Sequence, residues 1–198
     1  MKTSGEPLIL RHAKSGHDER VPDKQRTLTS RGRKDARRMG ELVREGNLLP
    51  DRVLCSTATR ARETFEFLAQ GAKLDGPVDF LDALYLAGPA AIFREIRAHA
   101  GPSERVMVVG HNPGLERLVS NLTGERVELK TTALAECILP VKSWSELDLE
   151  TTATLRSIFQ PSCSGRSPAV RRARREVGQR PRPDAGRPRQ SAMGRWNR

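Results

Sequence analysis

Aromatic residues make up only 4% of this 198-residue chain and hydrophobic residues only 36%. That is too little apolar material for a core spread evenly from end to end, so one segment must dilute the average. Cysteine is equally scarce. Cys55, Cys137 and Cys163 show no metal-like spacing, and an odd count without a secretory signal argues against a disulfide framework and for a reducing compartment. No apolar run approaches the ~20 residues of a membrane-spanning helix. The opening "MKTSGEPLIL" is too short and too polar for a signal peptide, which leads us to expect a cytoplasmic protein. The chain also lacks a glycine-rich GxxxxGK[ST] loop and any internal repeat, which removes the P-loop nucleotide enzymes and solenoids from consideration.

The diluting segment is the C-terminal one. From Pro161 to Arg198 there are eleven Arg and no Lys against Glu176 and Asp184, so this stretch holds +9 of the chain's net +11 and residues 1–160 hold +2. "RRARREVGQRPRPDAGRPRQ" has Pro, Gly and Arg where a core needs aliphatics, and it reads as a disordered basic tail. Such a tail is either an electrostatic arm for nucleic acid or an acidic surface, or a solvated extension without a role; aromatics to stack on bases are absent from it except Trp196. The folded domain is expected to span residues 1–160, with its boundary near Gln160.

Within that domain strand and helix patterns alternate. "PLILRH" (7–12), "DRVLCS" (51–56), "VDFL" (78–81) and "RVMVVGH" (105–111) read as short buried strands. Between them Ala36, Met39 and Val43 recur at helical spacing after Thr29, a plausible N-cap, and Ile92, Phe93, Ile96 and Ala100 do likewise after Pro89. Asn112 and Pro113 read as cap and first turn of a helix through Leu115, Leu118, Val119 and Leu122 that stops at Gly124. Beyond it "RVELKTTALAECILPV" and "TATLRSIF" read as further strands, one of them antiparallel. The pattern predicts an α/β fold: a three-layer α/β/α sandwich around a mostly parallel central sheet.

In such sheets ligands sit beyond the carboxyl ends of the strands. Arg11 and His12 follow the first strand, Ser56 and Arg60 the second, and His111 and Asn112 the fourth, so two arginines and two histidines are expected to face one crevice. Arginine offers a permanently charged planar fork that matches phosphate oxygens, and Arg60 lies about one turn into a helix whose amino end also favours an anion. A neutral imidazole can attack phosphorus, and a second, protonated histidine would offset charge on the equatorial oxygens. The expected site needs no metal and no cofactor. Ser56 reads as a helix cap like Asn112, Cys55 as a small core residue, and His17 and His99 as surface residues.

"LILRHAKS", "LTSRGRKDARRMGELV", "VLCSTATRARETF" and "VMVVGHNPGLERLV", in that order, resemble the histidine phosphatase superfamily, the phosphoglycerate mutase-like group. With no long insertion between "RARETF" and "VMVVGH", the chain looks most like the small SixA-type phosphohistidine phosphatases over residues 7–160. The resemblance implies that His12 takes the phosphoryl group, and that Arg11, Arg60 and His111 form the phosphate pocket. It also implies that the partner is a protein carrying phosphohistidine, the alternatives being a small phosphate ester or a mutase reaction, or a non-catalytic binding protein that works through the basic tail. "RHA" stands where the family usually has "RHG". No glutamate sits where ester-cleaving members carry their general acid; Asp82 is the nearest candidate, with a turn or cap as its plain reading. Imidazole leaves phosphorus more readily than an alkoxide, so a missing acid favours a phosphohistidine substrate. Asp23 and Arg26 lie on the loop that borders the site in this family, where they either contact substrate or cap the helix that begins near Thr29, capping being the favoured reading.

Overall fold

Leu8, Ile9 and Leu10 are all fully buried, as expected of a strand covered on both faces, and they form the centre of β1 (Glu6–Arg11). The computed structural model describes residues 5–161 and 169–172. β2 (Arg52–Ser56), β3 (Val78–Leu81) and β4 (Arg105–Gly110) run parallel to β1, while β5 (Leu134–Ile138), β6 (Thr154–Gln160) and β7 (Ala169–Arg172) add an antiparallel edge. The order across the sheet is β3-β2-β4-β1-β5-β6-β7. The sheet is therefore mixed.

Alternation along each strand divides the apolar residues between two layers. Leu8, Leu10, Val53, Cys55, Met107 and Val109 meet α1 (Ser30–Glu45) and α2 (Thr59–Ala72) through Met39, Val43, Phe65 and Leu68. Ile9, Leu54, Val106 and Val108 meet α3 (Pro89–His99) and α4 (Gly114–Thr123) through Ile92, Ile96, Leu115 and Leu118 on the opposite face. This is the three-layer sandwich that the alternating pattern predicted. Two glycines let α1 and α2 touch backbone to backbone. A Cβ on Gly40 would lie 2.0 Å from the Leu68 carbonyl oxygen, and one on Gly71 would lie 2.0 Å from that of Arg37.

Thr29 caps α1 as expected, its hydroxyl accepting from the Gly32 amide at 3.0 Å. Asn112 does not cap α4. Pro113 holds the N-cap position, and the Asn112 side chain turns instead to the Leu129 carbonyl, to which its Nδ2 donates at 2.9 Å. The strand expected from residue 126 begins only at Leu134. Before it the chain turns, with Thr132 at φ 65° and the Ala133 amide bonded back to the Lys130 carbonyl, a geometry incompatible with extended pairing.

The basic segment read as a tail is described only at Pro161 and at 169–172, where the backbone forms β7 beside β6. The rest of it, with its arginines and the suggested nucleic-acid contact, lies outside the described residues. Among the described residues no helix is long and apolar enough to cross a membrane.

Candidate active site

Where β1 ends, Arg11 and His12 leave the sheet. The His12 backbone amide still bonds to the Gly110 carbonyl of β4 at 3.0 Å, which ties the two chemistry-bearing strand ends together. The next residue is anchored too: the Ala13 amide donates to the Thr64 hydroxyl at 2.9 Å, and that hydroxyl donates to the Arg60 carbonyl at 2.5 Å. Residues 60 and 64 stand one helical turn apart on the same face of α2, so Thr64 fixes the chain after His12 while Arg60 reaches His12 itself. The R-A-x-x-T spacing is thus a clamp between the loop that follows His12 and the helix.

Nδ1 of His12 lies 2.8 Å from the Ala13 carbonyl oxygen, and Nε2 receives the Arg60 Nε–H at 3.3 Å. A carbonyl can only accept and a guanidinium only donate. The ring is therefore the neutral tautomer with hydrogen on Nδ1 and a lone pair on Nε2. Its pKa is pushed down to about 4, first by burial and then by the fields of Arg60, Arg11 and Arg26, with the Ala13 contact acting the other way.

His111 follows β4 directly. It is only 3% exposed, with its ring centroid 5.1 Å from that of His12. Nε2 lies 2.8 Å from the Ser56 hydroxyl, and Tyr85 packs against the ring edge-on at 5.6 Å. Burial first, then His12 and Arg60, lower its pKa to about 3. Burial among cationic groups disfavours the positive charge expected on this histidine. Ser56 is not the cap of α2, a position held by Ala58. It serves the histidine instead.

Arg11 donates through Nη1 to the Leu129 carbonyl at 2.7 Å, the same oxygen that receives Asn112. Among the described residues Arg11 Nε, His111 Nδ1, Asn112 Oδ1 and Thr132 Oγ1 are buried without a hydrogen-bond partner. Four such atoms gather on or beside three strand-end residues, whereas buried polar groups are otherwise almost always satisfied.

Arg60, 4% exposed, is held by Asp23: Nη1 donates to its carbonyl at 2.5 Å and Nη2 to Oδ2 at 2.9 Å. Asp23 also receives the Tyr85 hydroxyl at 2.8 Å and Arg26 Nη1 at 2.8 Å. The Tyr85 contact foremost, then Arg60 and Arg26, hold its carboxyl at about 2. The expectation that Asp23 caps a helix is corrected, since Thr29 does that work and Asp23 steers Arg60. Arg26 binds Ser15 and Gly16 of the loop as well.

Asp82 sits at the rim, after β3. Its carboxylate pairs with Lys24 and accepts from the Thr57 hydroxyl at 2.6 Å, and both contacts lower its pKa. It is thereby held ionised. Burial pushes the Cys55 and Cys137 thiols up, as fits inert core residues. Among the described residues no cluster of three or more His, Cys, Asp or Glu could hold a metal ion.

The sequence pattern described as the Histidine phosphatase superfamily (branch 1) matches residues 8–85, which carry Arg11, His12 and Arg60. The chain belongs to that superfamily. A relative from Mycobacterium leprae, an uncharacterized protein, is 31% identical over 154 residues, covering 71% of this chain and 93% of its own. Among solved structures, this histidine phosphatase superpositions on the phosphohistidine phosphatase SixA assigned in Nakamurella multipartitia with a TM-score of 0.71 and 26% identity, over 80% of this chain and 96% of that one. A protein histidine phosphatase SixA solved with tungstate gives a TM-score of 0.66 at 25% identity, over 79% and 97%. Within the superfamily the likeness is thus to the SixA type. His111 falls outside the matched segment, and the fold alone brings it to His12.

Proposed function

We propose that this histidine phosphatase hydrolyses phosphohistidine on a protein partner, through a phosphoryl intermediate on His12 Nε2. The observation that carries the reading is the His12 tautomer: Nδ1–H bound to Ala13 leaves the Nε2 lone pair free to attack once a phosphoryl group draws Arg60 to its oxygens. Leu129 takes Nη1 of Arg11 and leaves the Nε and Nη2 edge, a side-on fork suited to two phosphate oxygens. The related SixA binds tungstate, a tetrahedral oxyanion shaped like phosphate.

In the first step the Nε2 lone pair bonds to phosphorus as the bond from phosphorus to the substrate nitrogen breaks. That electron pair leaves with the imidazole, which takes a proton from solvent. Water then attacks phosphorus, the bond to Nε2 breaks, its electron pair returns to His12, and inorganic phosphate departs as water's proton passes to solvent. Arg11 and Arg60 supply the charge that the transferring oxygens need, so this reading requires no metal. It also requires no strong acid, which suits an ionised Asp82.

Phosphate release from a phosphohistidine-bearing protein and from p-nitrophenyl phosphate, both with EDTA, tests the proposal. Rapid turnover of the first, slow turnover of the second and an acid-labile phosphoenzyme that His12→Ala abolishes are expected. Preferential cleavage of the ester would point to a small-molecule phosphatase, and full activity in His12→Ala would overturn the covalent route.

A further inference from the structure

We infer that Ser56 is a positioning residue that sets the tautomer of His111, directing a ring N–H toward the transferring phosphoryl group without charging the ring. The inference rests on the phosphatase reading and assigns the residue that prepares one wall of its pocket.

The Ser56 oxygen has two neighbours among the described residues: the Ala58 amide, which donates to it at 3.3 Å, and His111 Nε2 at 2.8 Å. A hydroxyl has one hydrogen to give and two lone pairs to receive. The amide can only donate. If Nε2–H also donated, the hydroxyl hydrogen would be left without an acceptor in a side chain with no exposure at all, a costly arrangement. With the hydroxyl donating to Nε2, every group is satisfied. A neutral imidazole that accepts at Nε2 must carry its hydrogen on Nδ1.

Nδ1 of His111 is the buried atom without a partner, on a ring set beside the nucleophile's own. A bare lone pair there would repel phosphate oxygens, whereas N–H binds them. The two histidines thus share the Nδ1–H tautomer and present opposite ring edges to the pocket. His12 turns a lone pair toward phosphorus and His111 turns a hydrogen toward oxygen, and each choice is made by a neighbour: Ala13 for one, Ser56 for the other.

The tautomer can be read directly by ¹⁵N NMR of histidine-labelled full-length protein, with and without inorganic phosphate. In the wild type His111 is expected to show a protonated Nδ1 and an unprotonated Nε2, with phosphate moving the Nδ1 signal. Ser56→Ala should mix or reverse the tautomers and lower kcat/KM about tenfold, while a phosphoenzyme still forms on His12. A wild-type His111 protonated at Nε2 overturns the inference, as does a Ser56→Ala protein with unchanged tautomer and unchanged kcat/KM. Should Ser56→Ala not fold, the wild-type spectra still decide. A wild type that forms no phosphoenzyme would sink the phosphatase reading instead, and the assignment of the tautomer would stand or fall separately.

Discussion

Asp23 and Arg60 are joined twice, through the aspartate's backbone carbonyl and through its carboxylate. The guanidinium proposed to receive phosphate oxygens is thus aimed by an anion of the protein's own.

A carboxylate in that place both orients Arg60 and repels an incoming anion. Asp23→Asn keeps an acceptor for Nη2 and removes the charge, so inorganic phosphate should bind about fivefold more tightly. With Arg60 less firmly directed, kcat should fall. Equilibrium binding and steady-state kinetics read the two separately, and weaker phosphate binding would show that orientation outweighs repulsion.

Both site histidines titrate below their ordinary range, His12 at about 4 and His111 at about 3, against about 6.5 in an unfolded chain. The folded state therefore prefers the neutral rings. The stability this contributes is complete above pH ~6.5 and is lost as pH falls toward the folded values. Urea unfolding in phosphate-free buffer should show stability declining from about pH 6.5 to 4 with an uptake approaching two protons, and His111→Gln should reduce that uptake. A flat profile across this window would contradict the burial of both rings.

Asp82 is exposed, ion-paired with Lys24 and held ionised. Asp82→Asn should leave turnover of a phosphohistidine protein within about twofold of wild type, as for other exposed ion pairs. A selective loss of activity on p-nitrophenyl phosphate would show that the carboxyl supplies a proton to ester leaving groups after all.

Gly40 has no room for a side chain, whereas Gly88 has nothing within 4 Å of its would-be Cβ. Gly40→Ala should destabilise the protein by about 1–3 kcal/mol or more through forced separation of α1 and α2. Gly88→Ala, measured in the same denaturant titration, should stay within about 0.5 kcal/mol. Equal effects would mean that the helices can part without cost.

Arg11, His12, Arg60 and His111 were legible in the sequence because each follows an apolar run or sits in the first turn of a helix, and those patterns are local. The layers were legible for the same reason, as with Leu8 and Leu10 on one face and Ile9 on the other. The contact made by Asp23 is not legible there, since nothing in a loop's composition says which distant arginine it will meet, and Arg60 lies 37 residues away. Ser56 has the local pattern of a cap, because serine before a helix usually is one; its hydroxyl meets a histidine 55 residues on. Tyr85, Leu129 and Thr132 gave no signal, being ordinary residues whose part is defined only by three-dimensional neighbours.

The antiparallel edge has a topological consequence. Parallel strands bring to this rim only the segments that leave them, but β5 runs the other way, with Leu134 at its start beside Leu10 near the end of β1. The rim therefore also receives a segment arriving at a strand. It is that incoming turn which grips Arg11 and Asn112 through Leu129 and the carbonyls of Arg11 and His12 through the Thr132 amide. Reversing one strand encloses His12 from a side that a wholly parallel sheet would leave to its neighbour's exit loop.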